Sequence, residues 1–196
     1  MIFMILAAAM VTPPTATKLK SWIPKLQFPK GTLEKGEEGV TIYRLLVSAD
    51  GKPYDCALLH SSGSAELDRQ TCEGMNDAIY KPATDEQGLA TYGVMIGAVV
   101  WQGYYNWSLK WPPDMTLNVQ RLPRGAKEKI VTVAVAVDAA GKVTGCSRTP
   151  ADIGMGNLVE VACTQVRTQD ATALKDETGK TVKSVQTFRV SFVAEQ

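Results

Sequence analysis

The sequence has few of the residues and motifs on which common catalytic and metal sites depend. It contains a single histidine, His60, which leaves little material for histidine-based metal sites or acid–base catalysis. Its four cysteines form no C-x-x-C pair, so neither a zinc ribbon nor a thioredoxin-type redox site is indicated. No G-x-S-x-G motif and no phosphate-binding loop pattern occurs. These absences favour a binding or scaffolding module without cofactor or metal over an enzyme.

The sequence also has almost no excess of charge. Its 21 Lys and Arg residues against 20 Asp and Glu residues give a net charge of +1. Because nucleic-acid binding depends on a surplus of cations, we expect no nucleic-acid partner. Hydrophobic residues make up 45% of the 196 residues, so the chain can bury a core in one ordinary domain or two small ones.

Residues 1–11 form an uninterrupted apolar run, MIFMILAAAMV, followed by a polar stretch with prolines. A membrane-spanning helix needs about 20 apolar residues, so this run is too short to span. Its length predicts a signal-peptide-like segment over residues 1–17 and export to the periplasm. No Lys or Arg precedes the run, and Pro14-Thr15-Ala16 is a poor cleavage site. A start codon assigned too far downstream, an atypical or uncleaved signal that tethers the chain to the inner membrane, and a buried N-terminal element remain alternatives.

Two parts of the chain repeat one pattern. The matching positions are 90 residues apart before one inserted residue and 91 residues apart after it: Gly51/Gly141, Lys52/Lys142, Cys56/Cys146, Leu67/Leu158, Cys72/Cys163, Met75/Val166, Asp85/Asp176 and Gly88/Gly179. Self-similarity at one fixed distance indicates a duplicated unit of roughly 65 residues.

Each copy shows the signals of strands and a helix. Side chains alternate in character over residues 41–47, 52–60, 92–101, 131–137 and 183–193, which predicts strands. Asp50-Gly51 predicts a tight primed turn, because glycine tolerates a positive φ. Ser64 is suited to cap a helix, whose first turn holds Glu66 and Asp68.

The predicted core face of this helix contains a cysteine in both copies. In the first copy this face comprises Leu67, Thr71, Cys72, Met75, Ala78 and Ile79, and in the second it comprises Leu158, Ala162, Cys163 and Val166. Cys56 lies on the strand face that the helix covers. This geometry predicts the disulfides Cys56–Cys72 and Cys146–Cys163, with four reduced core cysteines in a cytosolic protein as the alternative.

A catalytic interpretation of residues 60–68 is weak. His60, Ser61, Ser62 and Asp68 superficially suggest a nucleophile with a base, but the serines suit the turn that leads into the helix. The second copy has Pro150 at the position of His60. We therefore expect no catalytic residue here.

Residues 102–128 are predicted to form a linker that contains prolines and the tryptophans Trp107 and Trp111. Proline stiffens such a stretch, and we expect the tryptophans to contact one or both domains. An aromatic platform for a ligand is the alternative.

The first copy resembles the TonB C-terminal domain family. The residues that carry the likeness are Val47 to Gly51, Ser61-Ser62-Gly63, Leu67-Asp68, Tyr80-Lys81-Pro82-Ala83 and Gly88. The resemblance covers residues 38–101 well and residues 129–194 more weakly. Together with the repeat, it predicts an α+β fold of two tandem β-β-α-β units, each a three-stranded antiparallel sheet with one helix.

The resemblance implies binding of a short extended peptide of an outer-membrane receptor. It also implies that the last strand of each unit is the edge to which the peptide binds. Nine residues of these two strands are therefore the candidate peptide-binding residues: Tyr92, Val94, Ile96, Ala98, Val100, Val185, Phe188, Val190 and Phe192. Full transducers of the family have a membrane anchor and a long proline-rich linker, which this sequence does not show. The alternative is a structural envelope protein whose sheet edges are covered, for example in a homodimer.

Overall fold

The computed structural model describes residues 10–17, 27–101, 112–152 and 155–195. Over these residues the chain is mostly strand with two helices, which confirms the α+β class. It forms two compact units. The first unit contains residues 14–17, 27–83 and 92–101, and the second unit contains residues 10–13, 84–91, 112–152 and 155–195.

The first unit is built on a three-stranded antiparallel arrangement with β2 in the centre. Its elements in chain order are β1 (Thr15–Ala16), β2 (Gly39–Val47), β3 (Pro53–His60), α1 (Ala65–Asn76), β4 (Tyr80–Lys81), β5 (Ala83–Thr84) and β6 (Ala90–Trp101). Residues 84–91, which include the last residue of β5 and the first two residues of β6, belong to the second unit. The predicted strands at residues 41–47, 52–60 and 92–101 are confirmed.

The core of the first unit follows the alternation along β2. Tyr43, Leu45 and Val47 are buried together with Met75, at the end of α1, and Tyr80. Ser64 caps α1 as predicted, since its side chain accepts a hydrogen bond from the backbone N–H of Leu67.

The prediction that Ile79 belongs to the core face is wrong. Its side chain is 70% exposed, because α1 ends at Asn76 and the following residues no longer keep the helical period.

The turn between β2 and β3 is wider than the primed turn that Asp50-Gly51 predicts. Ser48 N–H donates to the Lys52 carbonyl at 2.9 Å, and only Gly51 in this turn has a positive φ, of 82°. This is a three-residue loop ending in a left-handed glycine. A Cβ at Gly51 would also lie 2.2 Å from the carbonyl oxygen of Tyr80, so glycine is needed here for space as well as for conformation.

The second unit is built around β12, which pairs with β7 and with β8. Its elements in chain order are β7 (Met115–Val119), β8 (Glu128–Val137), β9 (Val143–Arg148), α2 (Gly156–Val166), β10 (Leu174–Lys175), β11 (Thr181–Val182) and β12 (Ser184–Ala194). β8 pairs antiparallel with both β9 and β12. Val131, Val133, Val135 and Val137 of β8 are buried in one hydrophobic cluster, as their alternation predicts.

The second unit departs from the predicted three-stranded sheet. β7 pairs parallel with β12, from Met115 opposite Val190 to Val119 opposite Ala194. Part of the predicted linker is therefore a fourth strand.

Several predictions fall on residues that are not described. Trp107 and Trp111 of the linker lie outside the described residues, as do residues 1–9 of the apolar N-terminal run. In the part of the chain that the structure describes, no helix has both the length and the apolar character needed to cross a membrane.

Candidate binding strands and the Asp68 cluster

The first predicted binding strand, β6, pairs with β2 along residues 93–101. Met95 and Val99 of β6 contact the core beside α1. Because side chains alternate along a strand, the predicted residues Tyr92, Val94, Ile96, Ala98 and Val100 lie on the opposite face. There Ile96 and Val100 are exposed, the latter to 59%. The prediction thus selects a partly exposed apolar row along β6.

Three of the four predicted residues of the second strand, β12, have fully buried side chains. Val190 and Phe192 are fully buried in the hydrophobic cluster of the second unit, and Phe188 contacts that cluster. Val185 is also fully buried. Val185, Val190 and Phe192 are therefore not exposed to a partner, whereas Phe188 is half-buried.

The backbone of β12 is paired on both sides at its C-terminal end. Residues 184–193 pair with β8, and residues 190–194 pair with β7 as well. A peptide could therefore add beside Val190 and Phe192 only by displacing β7. The strand that closes this part of the predicted edge comes from the predicted linker.

The Ser-Ser-Gly and Leu-Asp residues meet in a cluster around the Asp68 carboxylate. Asp68 accepts hydrogen bonds from the hydroxyls of Ser61 at 2.5 Å, Ser62 at 2.8 Å and Thr41 at 2.9 Å. It also accepts one from the backbone N–H of Ser62 at 2.8 Å. The cluster joins the first turn of α1 to β2 and to the turn after β3.

The surroundings of Asp68 favour its charged form. Burial raises the pKa of Asp68, but the hydrogen bonds from Ser61, Ser62 and Thr41 together lower it by more than burial raises it. The pKa therefore lies below the ordinary 3.8. The four hydrogen bonds use the acceptor capacity of a carboxylate. Asp68 is therefore suited to anchor the helix start.

His60 does not share in this cluster. It is the exposed last residue of β3, whereas the hydroxyl of Ser61 donates a hydrogen bond to the Asp68 carboxylate. This geometry agrees with the interpretation of the serines as the turn before α1.

The two predicted disulfides are confirmed. Cys56 of β3 is bonded to Cys72 of α1, and Cys146 of β9 is bonded to Cys163 of α2. The Cα atoms are 5.7 and 5.6 Å apart, an ordinary spacing for a disulfide. Each bridge fastens one strand of a unit to the helix of that unit.

Glu86 has a role that the sequence interpretation missed. Asp85-Glu86 reads as a solvated turn, but Glu86 Oε1 accepts a hydrogen bond from the hydroxyl of Thr144 at 2.8 Å. A Cβ at Gly145 would lie 2.6 Å from the Glu86 side chain, so Glu86 lies directly over β9 and would have to move aside for any larger residue there. The glycine at position 145, inside strand β9, is the one signal in the sequence for such a close approach.

The second unit also contains a cleft of about 610 Å³ beside the start of α2. It is lined by apolar residues, including Met155 and Leu158, and by the cations Arg124 and Lys129. Among the residues described here, no group of three or more His, Cys, Asp or Glu side chains is placed to hold a metal ion.

One protein family matches the part of the chain that contains most of the first unit. Residues 24–99 match the family described as the Gram-negative bacterial TonB protein C-terminal. Over these residues the chain carries a domain of the TonB C-terminal family, as the motifs of the first copy predict. Residues 112–195 lie outside the match. No curated protein matches the chain.

Proposed function

We propose that this chain is a TonB-like protein-binding module of the Gram-negative periplasm that serves outer-membrane transport. It binds an extended peptide from the N-terminus of an outer-membrane receptor by strand addition. The observation that carries the proposal is the family match over residues 24–99, which ends within β6. In the family that the first copy resembles, the last strand of the domain is the binding strand.

The physical basis of this binding is pairing between backbones. An added strand forms hydrogen bonds through its main chain, while side chains at alternate positions supply selectivity. On β6, Ile96 and Val100 provide exposed apolar contacts for such alternate side chains. Backbone pairing needs neither a cofactor nor a catalytic side chain, and the module is non-catalytic.

We also infer that the two copies of the sequence repeat arose by duplication. Asp85 and Asp176 each accept backbone hydrogen bonds from the residues two and four positions later, and Gly88 and Gly179 both have a positive φ. The disulfides join equivalent elements. These likenesses support two β-β-α-β units with boundaries near residues 38–101 and 129–194, the second carrying β7 as an addition.

Amide NMR spectra recorded during addition of receptor N-terminal peptides test the binding proposal. We expect saturable shifts concentrated in residues 92–101, with a scrambled peptide as control. Shifts confined to the cleft near Arg124 and Met155, or no shift at millimolar peptide, would contradict strand addition at β6.

A pair of matched variants tests the apolar row on β6. Val100→Thr should raise the Kd of the peptide about fourfold, because about 0.8 kcal/mol is lost when one buried methyl contact is removed. Val161→Thr changes the same side chain on α2, where Val161 is 44% exposed, and should leave the Kd unchanged. Equal effects of the two variants would show that the row does not contact the peptide.

A structural, self-associating envelope protein is the second candidate function. The pairing of β7 with β12 favours it, because this strand closes part of a predicted edge from within the chain. Light scattering after size-exclusion chromatography distinguishes the two. A dimer that persists on dilution and shows no peptide-induced shift would support self-association, and a monomer that shifts would exclude it.

A further inference from the structure

The cleft beside the start of α2 is a part of the second unit that the proposed peptide binding does not use. Its volume of about 610 Å³ lies within the range of small-molecule sites, roughly 300–1,000 Å³. The described residues that line it come from the segment 123–129 and from residues 155–158, and all of them lie outside the family match.

Apolar side chains line part of this cleft. Ala126, Met155 and Leu158 are half-buried there and also contact the hydrophobic cluster of the second unit. An added Cβ at Gly156 would meet no atom within 4 Å, so the space above this residue is open. The cleft therefore offers an apolar surface fixed by the core and room for an apolar group.

Two cations line the same cleft, and none of the described lining residues carries a carboxylate. Arg124 and Lys129 are exposed, and in the part of the chain that the structure describes neither belongs to an ion pair. Glu128, the carboxylate next to Lys129 in the sequence, accepts a hydrogen bond from the hydroxyl of Ser191 at 2.6 Å. The electrostatic complement of this cleft is therefore an anion.

The first unit has a carboxylate of its own at the equivalent place. Glu37 Oε2 accepts a hydrogen bond from the hydroxyl of Ser64, the residue before α1, at 2.5 Å. In the second unit the residue before α2 is Met155, whose side chain caps no N–H, and the repeat places Lys127 at the position of Glu37. These two positions of the second copy thus supply no carboxylate.

We propose that this cleft binds a small apolar carboxylate, of the chemical class of medium-chain fatty acids. Arg124 and Lys129 bind its carboxylate by charge-assisted hydrogen bonds. Ala126, Met155 and Leu158 contact its apolar chain, and each buried CH₂ group adds to the affinity. The site lies in the second unit, so it does not depend on whether β6 binds a receptor peptide.

Amide NMR spectra of the whole chain recorded during addition of octanoate test the site. We expect saturable shifts concentrated in residues 123–129 and 155–158. Acetate lacks the apolar chain and 1-octanol lacks the charge, so each should bind at least about tenfold more weakly.

Three results of this titration would overturn the inference. Equal binding of acetate would show a site for an anion alone, and equal binding of 1-octanol would show that the cations take no part. Shifts elsewhere, or binding of the tripeptide Ala-Ala-Leu with a free carboxylate but not of octanoate, would exclude the small molecule as the occupant.

A matched pair of cation variants tests the role of Lys129. Lys129→Gln should raise the Kd of octanoate about threefold to fivefold, because an exposed charge pair contributes only modestly. Arg121→Gln removes an exposed cation that is not among the lining residues and should leave the Kd unchanged. Equal effects would show attraction by the charge of the whole segment and would overturn the site.

Gly156→Leu tests whether the ligand lies in the cleft itself. The new side chain occupies open space, and leucine is more favourable than glycine in a helix, so the melting temperature should not fall. The Kd of octanoate should rise at least about tenfold, because the leucine takes the place of the apolar chain. A folded Gly156→Leu variant with unchanged affinity would overturn the proposed position of the ligand.

Discussion

At the scale of single residues, Asp68 explains why the Ser-Ser-Gly and Leu-Asp residues occur together. The carboxylate gathers the turn after β3, the first turn of α1 and β2 through four hydrogen bonds. The resemblance identified these residues as a motif, but the sequence could not predict their partners. Thr41 is 27 positions away and reaches Asp68 only once the sheet has formed.

Replacing Asp68 should destabilise the first unit. Asp68→Asn removes the charge and leaves hydroxyl donors without their acceptor, which should lower the free energy of unfolding by about 2–4 kcal/mol. Asp77→Asn, at the exposed end of the same helix, should change it by less than about 0.5 kcal/mol. Urea unfolding at pH 7 measures both, and equal losses would refute the role of the cluster.

The pH dependence gives a second readout of Asp68. A carboxyl whose pKa is lower in the folded state stabilises the fold above its unfolded pKa, and this contribution is lost as the pH falls. The wild type should therefore lose stability as the pH drops below about 4, through a contribution that Asp68→Asn lacks. Identical acid profiles of wild type and Asp68→Asn would contradict the lowered pKa.

At the scale of elements, periodicity and capping predicted both disulfides and the five longest strands, which are β2, β3, β6, β8 and β12. Tyr43, Leu45 and Val47 alternate because one face of β2 is buried, and Ser64 has the right side chain to cap α1. β7 escaped prediction because its partner β12 is more than 70 positions away in the sequence. β1 escaped because its apolar and proline-rich context is also that of a signal peptide.

The disulfides should make comparable contributions to stability. They join residues 16 and 17 positions apart, for which the loss of chain entropy in the unfolded state amounts to about 3 kcal/mol each. The double variants Cys56→Ser/Cys72→Ser and Cys146→Ser/Cys163→Ser should each lose about that much in denaturant unfolding.

A thiol assay serves as the control for the disulfide prediction. Unfolded wild type should show free thiols only after reduction. Thiols that react in the unfolded but unreduced wild type would show that the bridges do not form.

At the scale of the whole molecule, the chain does not build its two units one after the other. Residues 10–13 and 84–91 belong to the second unit, although they flank or interrupt the sequence of the first. The repeat in the sequence predicted two successive copies. It did not indicate that residues 10–13 and 84–91 belong to the second unit, because these two segments are short and carry no pattern of their own.

Truncation before Lys18 should therefore weaken the protein as a whole. A chain that starts at Lys18 loses buried Val11 and Pro14 and the pairing of β1 with β4. Relative to a chain that starts at Met10, we expect a melting temperature lower by about 10 °C, from a loss of about 3–5 kcal/mol. Calorimetry measures the difference, and equal melting temperatures would show that residues 10–17 do not stabilise the fold.

The disulfides that join β3 to α1 and β9 to α2 also limit domain swapping between copies of this chain. Two protomers that exchange a strand must first release it from its own fold. Here Cys56 and Cys146 hold β3 and β9 covalently to a helix, so a departing strand would have to take the helix with it. In an oxidising compartment the exchange of β3 or β9 alone should thus be blocked, and it should become possible only after the disulfides are reduced.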